Sequence, residues 1–304
     1  LVWSHGWPDL FLNKALMFSS SCGNLDTVIP VVLVVNDSSR ASGYRLYGDS
    51  SIPLGPLVTS PFGGTYDNAK GVSISAAAGA VAIVIGTDLC VWNWSPSVGF
   101  GMTVKVINPG MGTLLGVAFS PDGANIAVVG SYSPYITVYP WSGNFGVKYA
   151  NPAILPAGSS LGVAFSPNGA RLAVAHEASP FISVYLWSNG FVAKYANPEI
   201  LPAGIARGVA FSPSGSHLAV AHEASPFVSV YLWSNGFVGK YANPAILPAW
   251  DARGVAFSPN GSYLAVAHEA SPFISVYPWS NGFGAKYANP ETLPTGSGRG
   301  VVFG

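Results

Sequence analysis

GVAFSPNGARLAVAHEASPFISVYLWSNGFVAKYANPEILPAGIAR, residues 162–207, decides the fold of this chain. It returns at 208–253 with 38 of 46 positions identical, the eight changes falling at 168, 170, 171, 182, 193, 199, 204 and 205, and it begins again at Gly254. A fixed period of this length marks a repeat architecture, in which each unit buries its apolar faces against its neighbours. Inside one repeat the pattern gives four short strands. Gly162–Ser166 is the first and ends at the turn Pro167-Asn168-Gly169. Leu172–His176 is the second, and Ile182–Trp187 the third, alternating so that Ile182, Val184 and Leu186 share one side. The turn Ser188-Asn189-Gly190 leads into the fourth, Phe191–Tyr195. Asn197–Ala203 is a Pro-rich connection, and proline there punctuates the unit because it cannot donate to a ladder.

Four antiparallel strands per period, with Gly opening the first and Trp closing the third, resemble the WD-repeat β-propeller family. The residues that carry the resemblance are FSPNG, LAVAH and ISVYLWS. Two features depart from it: Ser188 rather than Asp follows Trp187, and no Gly-His pair precedes the first strand. The blade is therefore implied, and the hydrogen-bonded tetrad of the family is not. The repeat wording, YANPxxLPAG before GVAFSP and LAVAHxxSP after it, also resembles propeller arrays of bacterial and bacteriophage proteins, some of them carried on virions or surfaces. That resemblance spans roughly residues 100–304 and implies a virion or extracellular surface location.

The aromatic closing each third strand falls at Trp3, Tyr47, Trp94, Trp141, Trp187, Trp233 and Trp279. First strands are expected at 15–19, 71–75, 116–120, 162–166, 208–212, 254–258 and 300–303. The expectation is one all-β domain over 1–304, a seven-bladed β-propeller of four-stranded antiparallel blades, with a six-bladed ring as the alternative. One more period after Trp279 would set an aromatic at 325, equivalent to Trp3, so the last blade is expected to be composite from both termini and incomplete, lacking about 18 residues. The start lacks Met and the features of a signal peptide.

Composition narrows the function. Only 9% of residues are charged, against about 25% in average soluble proteins, and 13 Lys and Arg balance 13 Asp and Glu. A zero net charge argues against a nucleic-acid binder working through a basic face, and a sparsely charged surface favours association with other proteins or with itself. Apolar runs such as Val28–Val35 and Ala76–Ile85 are strand-sized, too short for a membrane span. Cys22 and Cys90 lie in different repeats and read as buried free thiols.

Propeller geometry puts the second-to-third hairpins and the inter-blade connections on one face. That face is expected to collect His176, His222 and His268, Glu177, Glu223 and Glu269, and Arg207, Arg253 and Arg299, all repeating at 46 residues. On a circle of roughly 10 Å radius, equivalent histidines stand roughly 9 Å apart, too far for one zinc held at about 2.0–2.1 Å by each nitrogen. They read as strand ends bonded to a neighbouring hairpin, and no metal or cofactor is expected. The Glu and Arg sets can pair within or between blades, and Lys148, Lys194, Lys240 and Lys286 read as charges that protect an outer strand edge. Tyr185, Trp187, Tyr231 and Trp233 read as inter-blade core. Trp250, beside Asp251, is the exceptional aromatic, because other copies carry Gly158 or Gly204 at its position.

No nucleophile-base pair, phosphate loop or paired carboxylates stand in a supporting context, and near-identical blades lack the asymmetry of a catalytic channel. A non-enzymatic structural and interaction scaffold is the first expectation. A carbohydrate or small-ligand module using Trp250 is the second. A lactonase-like enzyme with calcium in its channel is the third.

Overall fold

The computed structural model describes residues 69–95, 99–294 and 296–303, together with the backbone of three earlier strands, Leu16–Phe18, Val32–Val35 and Ala41–Tyr44. Trp3, Cys22, Tyr47 and most of the stretch 52–70 lie outside the described residues. Every element among those described is a strand.

The repeat folds as an antiparallel sheet in which consecutive strands are neighbours. In the unit quoted above, Ser160–Phe165, Arg171–His176, Ile182–Trp187 and Phe191–Lys194 lie side by side in that order. The same order recurs in Ala206–Phe211, His217–His222, Val228–Trp233 and Phe237–Lys240, and in the earlier sheet from Ala69 to Ile107. Two further sheets, Leu114–Pro140 and Ala252–Pro278, hold only three full strands. Their third strands end in Pro140 and Pro278 where the four-stranded units carry Leu186 and Leu232. Proline removes the N–H that the fourth strand would accept. Its remnant is a single bridge, Trp141 to Phe145 and Trp279 to Phe283.

Each innermost strand begins two residues before the expected glycine, and the pairing slips there. The slips fall between Ala69 and Gly71, Leu114 and Gly116, Ser160 and Gly162, Ala206 and Gly208, and Ala252 and Gly254. Such a bulge bends the strand and sharpens its twist. The bend sets Gly against the Gly of the next sheet. A Cβ on Gly208 would sit 2.9 Å from the Arg253 carbonyl oxygen and 3.1 Å from the Gly254 Cα, and one on Gly162 would sit 2.7 Å from the Arg207 carbonyl oxygen. Gly71 faces the Gly116 Cα at 3.0 Å and Gly254 faces the Gly300 Cα at 2.9 Å in the same sense. The inner strands of consecutive sheets therefore converge on one axis, as blades around a channel. Val301–Phe303 follows as the next inner strand, and it pairs in parallel with Leu16–Phe18, bringing the N-terminal part of the chain to its C-terminal end.

Between blades the faces meet in apolar layers. One layer joins Ala173, Ala175, Ile182 and Val184 to Val209, Phe211, Leu218, Val220, Tyr231 and Trp233 of the following blade. Tyr185, Trp187, Tyr231 and Trp233 are all buried, as core. The closing Trp187, Trp233 and Trp279 are each clamped edge-to-face by three rings from Tyr and Phe. Trp233 meets Phe211 at 6.1 Å and Phe237 at 4.9 Å in its own blade, and Tyr195 of the preceding one at 5.0 Å. Trp187 and Trp279 repeat the arrangement with Tyr149 and Tyr241. Cys90 is a buried free thiol whose pKa burial pushes up to about 11, leaving it protonated and unreactive.

Gly208→Ala is expected to destabilise the fold by about 1–3 kcal/mol, since backbone on the facing strand must move to admit a methyl. Trp233→Ala should cost about 3–5 kcal/mol by emptying a clamp shared by two blades. Denaturant midpoints measure both, and a Gly208→Ala midpoint equal to the parent would refute the close approach.

Candidate functional site

The connection between blades ends on the hairpin of the blade it enters. The backbone N–H of Glu177 donates to Ser159 at 3.0 Å, that of Glu223 to Ile205 at 3.0 Å and that of Glu269 to Asp251 at 3.1 Å. These contacts gather connections and hairpins on one face, where the charged sets were expected. Arg207 and Arg253 stand one residue before the channel glycines and form ion pairs with Glu223 and Glu269 of their own hairpins. Pairing is thus within a blade. Residue 161 is Leu, so the blade of Glu177 has no arginine at that position. Glu177 is exposed and acts on Arg207 of the next blade instead. Burial lowers the Arg207 pKa, and the neighbouring Arg253 adds to the effect, opposed by Glu269, Asp251 and Glu177. Arg299 is exposed at the equivalent position one repeat later.

The histidines are placed differently. His176, His222 and His268 are fully buried and take no part in the accessible rim. His176 is bonded through Nδ1 to the Ala178 carbonyl oxygen at 2.8 Å and through Nε2 to Ser183 Oγ at 3.1 Å. His222 and His268 repeat these bonds with Ala224 and Ser229, and with Ala270 and Ser275. Each imidazole therefore closes its own hairpin, not a neighbouring one, and both nitrogens are engaged within the blade. The blade from Leu114 shows what the histidine supplies. Gly130 replaces it, Met111 packs fully buried against that glycine, and the buried Thr137 Oγ1 is left without a partner. Among the described residues no three His, Cys, Asp or Glu converge as a metal site.

Trp250 is 57% exposed, and its ring stacks on Phe227 of the preceding hairpin at 6.4 Å and 29°. A Cβ would be tight at the equivalent positions of other copies, sitting 3.1 Å from the Ala224 Cβ at Gly204 and 3.2 Å from the Ala178 Cβ at Gly158. Asp251 is half-buried beside it. The lysines of the fourth strands turn out to be held locally, with Lys194 Nζ donating to Asn197 Oδ1 and Lys286 Nζ to Asn289 Oδ1.

A further set was not singled out by sequence. Ile154, Ile200 and Ile246 are 61%, 59% and 60% exposed, one in each of three successive connections. The signal was present as an apolar residue repeated after Asn-Pro in a segment too short and proline-rich to be a strand. Backbone bonds hold two of them, since Tyr185 Oη donates to the Ile154 carbonyl oxygen at 2.9 Å and Tyr277 Oη to that of Ile246 at 2.8 Å.

No protein-family model and no curated protein sequence matches the chain. Among solved structures, it is similar to the Cps50 (Swd1) β-propeller domain of Myceliophteria thermophila, with a TM-score of 0.61 and 13% identity over 90% of this chain and 86% of that one.

The buried histidines give a pH dependence. Burial lowers the pKa of His176 and His222 to about 4 and that of His268 in the same direction. The unfolded chain takes up protons near pH ~6.5 that the fold refuses, so stability is full above that pH and falls as the pH drops toward 4. His176 and His222 together should remove several kcal/mol, about 3 each when fully protonated. Urea midpoints recorded between about pH 7 and 4.5 test this. A flat profile would mean the imidazoles accept charge in place.

Proposed function

We infer that this chain, which has the fold of a WD-repeat-like β-propeller, is a non-enzymatic interaction scaffold, a rigid disc whose connections and hairpins dock other proteins. The observation that carries this is the row Ile154, Ile200 and Ile246, displayed at nearly equal exposure by three successive blades. Apolar side chains held out at regular spacing by a stiff frame, outside the Arg and Glu pairs at the channel mouth, give this face both apolar and charged points of contact for a protein. The repeat wording shared with bacteriophage and bacterial arrays favours a virion or surface-decoration role. The 46-residue pitch and the seven closing aromatics favour seven blades, the last built from both ends of the chain.

A second reading rests on Trp250. Its half-exposed indole, backed by Phe227 and flanked by Asp251, is a stacking platform of the kind that takes a sugar ring.

Replacing Ile154, Ile200 and Ile246 together by Lys should leave melting within about 0.5 kcal/mol per site, because exposed positions tolerate change. Light scattering should find the parent chain in a high-mass particle and the triple variant without it. A particle mass that the triple variant leaves unchanged would overturn the docking row. A parent chain that runs as a free monomer and binds glycans only with Trp250 intact would replace the scaffold by the sugar module.

A further inference from the structure

The sequence contains five Asn-Gly pairs, and the fold places them in two kinds of turn. Asn168-Gly169 and Asn260-Gly261 join first to second strands. Asn189-Gly190, Asn235-Gly236 and Asn281-Gly282 join third to fourth strands, or stand where a fourth would begin. Asn-Gly is a self-reactive pair. The glycine backbone nitrogen can attack the asparagine Cγ, where no Cβ obstructs it. A nitrogen–Cγ bond forms, the Cγ–NH2 bond breaks, and the proton lost by the glycine N–H leaves with the amine as ammonia. Water then opens the cyclic imide at either carbonyl, giving an aspartyl or an isoaspartyl residue. The reaction needs a glycine N–H free to give up its proton, and a carboxamide oxygen held by two hydrogen bonds turns toward it less readily than one held by a single bond or none.

The first kind of turn ties down both reactants. The Gly169 N–H donates to the Ser166 carbonyl oxygen and the Gly261 N–H to that of Ser258, each at 2.8 Å. Asn168 Oδ1 accepts from Ser166 Oγ at 2.7 Å and from the Ala170 N–H at 3.1 Å. Asn260 Oδ1 accepts from Ser258 Oγ at 2.7 Å and the Ser262 N–H at 3.0 Å. The second kind leaves the nucleophile untied: among the described residues the N–H groups of Gly190, Gly236 and Gly282 donate no backbone hydrogen bond. Asn189, Asn235 and Asn281 are exposed and carry φ of 49°, 53° and 52°. Asn235 Oδ1 accepts from Arg171 Nη2 of the preceding blade at 2.7 Å. That oxygen gains negative charge as Cγ is attacked, so a cationic donor there stabilises the intermediate.

We propose that Asn189, Asn235 and Asn281 are self-modifying positions, converted to aspartyl and isoaspartyl residues by their own glycines, while Asn168 and Asn260 are protected by their turns. Each conversion adds one negative charge to a chain whose formal net charge is zero. At Asn235 the new carboxylate meets Arg171 across a blade seam and turns a neutral contact into an ion pair.

Peptide mapping by mass spectrometry of the folded full-length chain, aged in mildly alkaline buffer, reads each site separately through its gain of one mass unit. The three third-to-fourth sites should convert at least about tenfold faster than the two protected ones, since several hydrogen bonds must open first at the latter. Aging in denaturant should erase the difference, because the dipeptide is the same at all five. Ser258→Ala, which frees the Asn260 carboxamide, should raise the rate at Asn260 alone. Equal rates in the folded chain, or an order that survives denaturant, would overturn the proposal.

Discussion

The structure depends on the contact between glycines at the channel. Inner strands of successive blades approach until Gly162, Gly208 and Gly254 lie against the backbone of the next inner strand, at distances that leave no room for a side chain. A wedge-shaped unit can close around an axis only if its narrow edge is thin, and a strand without Cβ atoms is the thinnest the backbone allows. The bulge immediately before each glycine turns the strand into that position. Bulky residues then follow in order outward, from the small alanines of the second strand to the Trp and Phe rings at the seam.

Once that edge is fixed, the seam and the hairpin hold each blade by different means. The seam is dispersive: an indole held by three rings, one from the preceding blade, across layers of valine, leucine and alanine. The indole nitrogens of Trp141, Trp233 and Trp279 find no hydrogen-bond partner among the described residues, so these indoles act through their ring faces and edges, with Arg171 lying over the Trp233 ring at 5.8 Å. The hairpin is held by a neutral imidazole bridging a carbonyl and a serine hydroxyl, and this places the polar lock inside the blade. The resemblance to WD repeats therefore extends to shape and strand order, while the blades of His176, His222 and His268 carry a polar lock inside their own hairpins.

Rigid repetition has a functional side. Because every blade is built alike, a residue change in a connection alters the surface without disturbing the frame. Trp250 is the sharpest case, a large ring set where other copies carry glycine, and it leans onto the hairpin of the preceding blade. The Arg–Glu pairs at the channel mouth are spaced by the blade pitch. The isoleucines farther along the connections follow the same pitch. The proposed docking of a protein on this face would draw on several contacts set at the blade pitch.

By itself the sequence determined the all-β class, the strand order, the turns, and the burial of Tyr185, Trp187, Tyr231 and Trp233, because period, alternation and turn chemistry are local properties. It also foresaw Arg and Glu pairing, since both recur at the same spacing. Only the tertiary structure decided which partner each charge takes, that the imidazoles of His176, His222 and His268 are enclosed, and that Pro140 and Pro278 cost two blades most of a fourth strand. Those outcomes depend on which atoms lie across a hairpin or a seam, at distances set by bulges and close backbone approach, and a one-dimensional pattern carries the period of such contacts but not their partners.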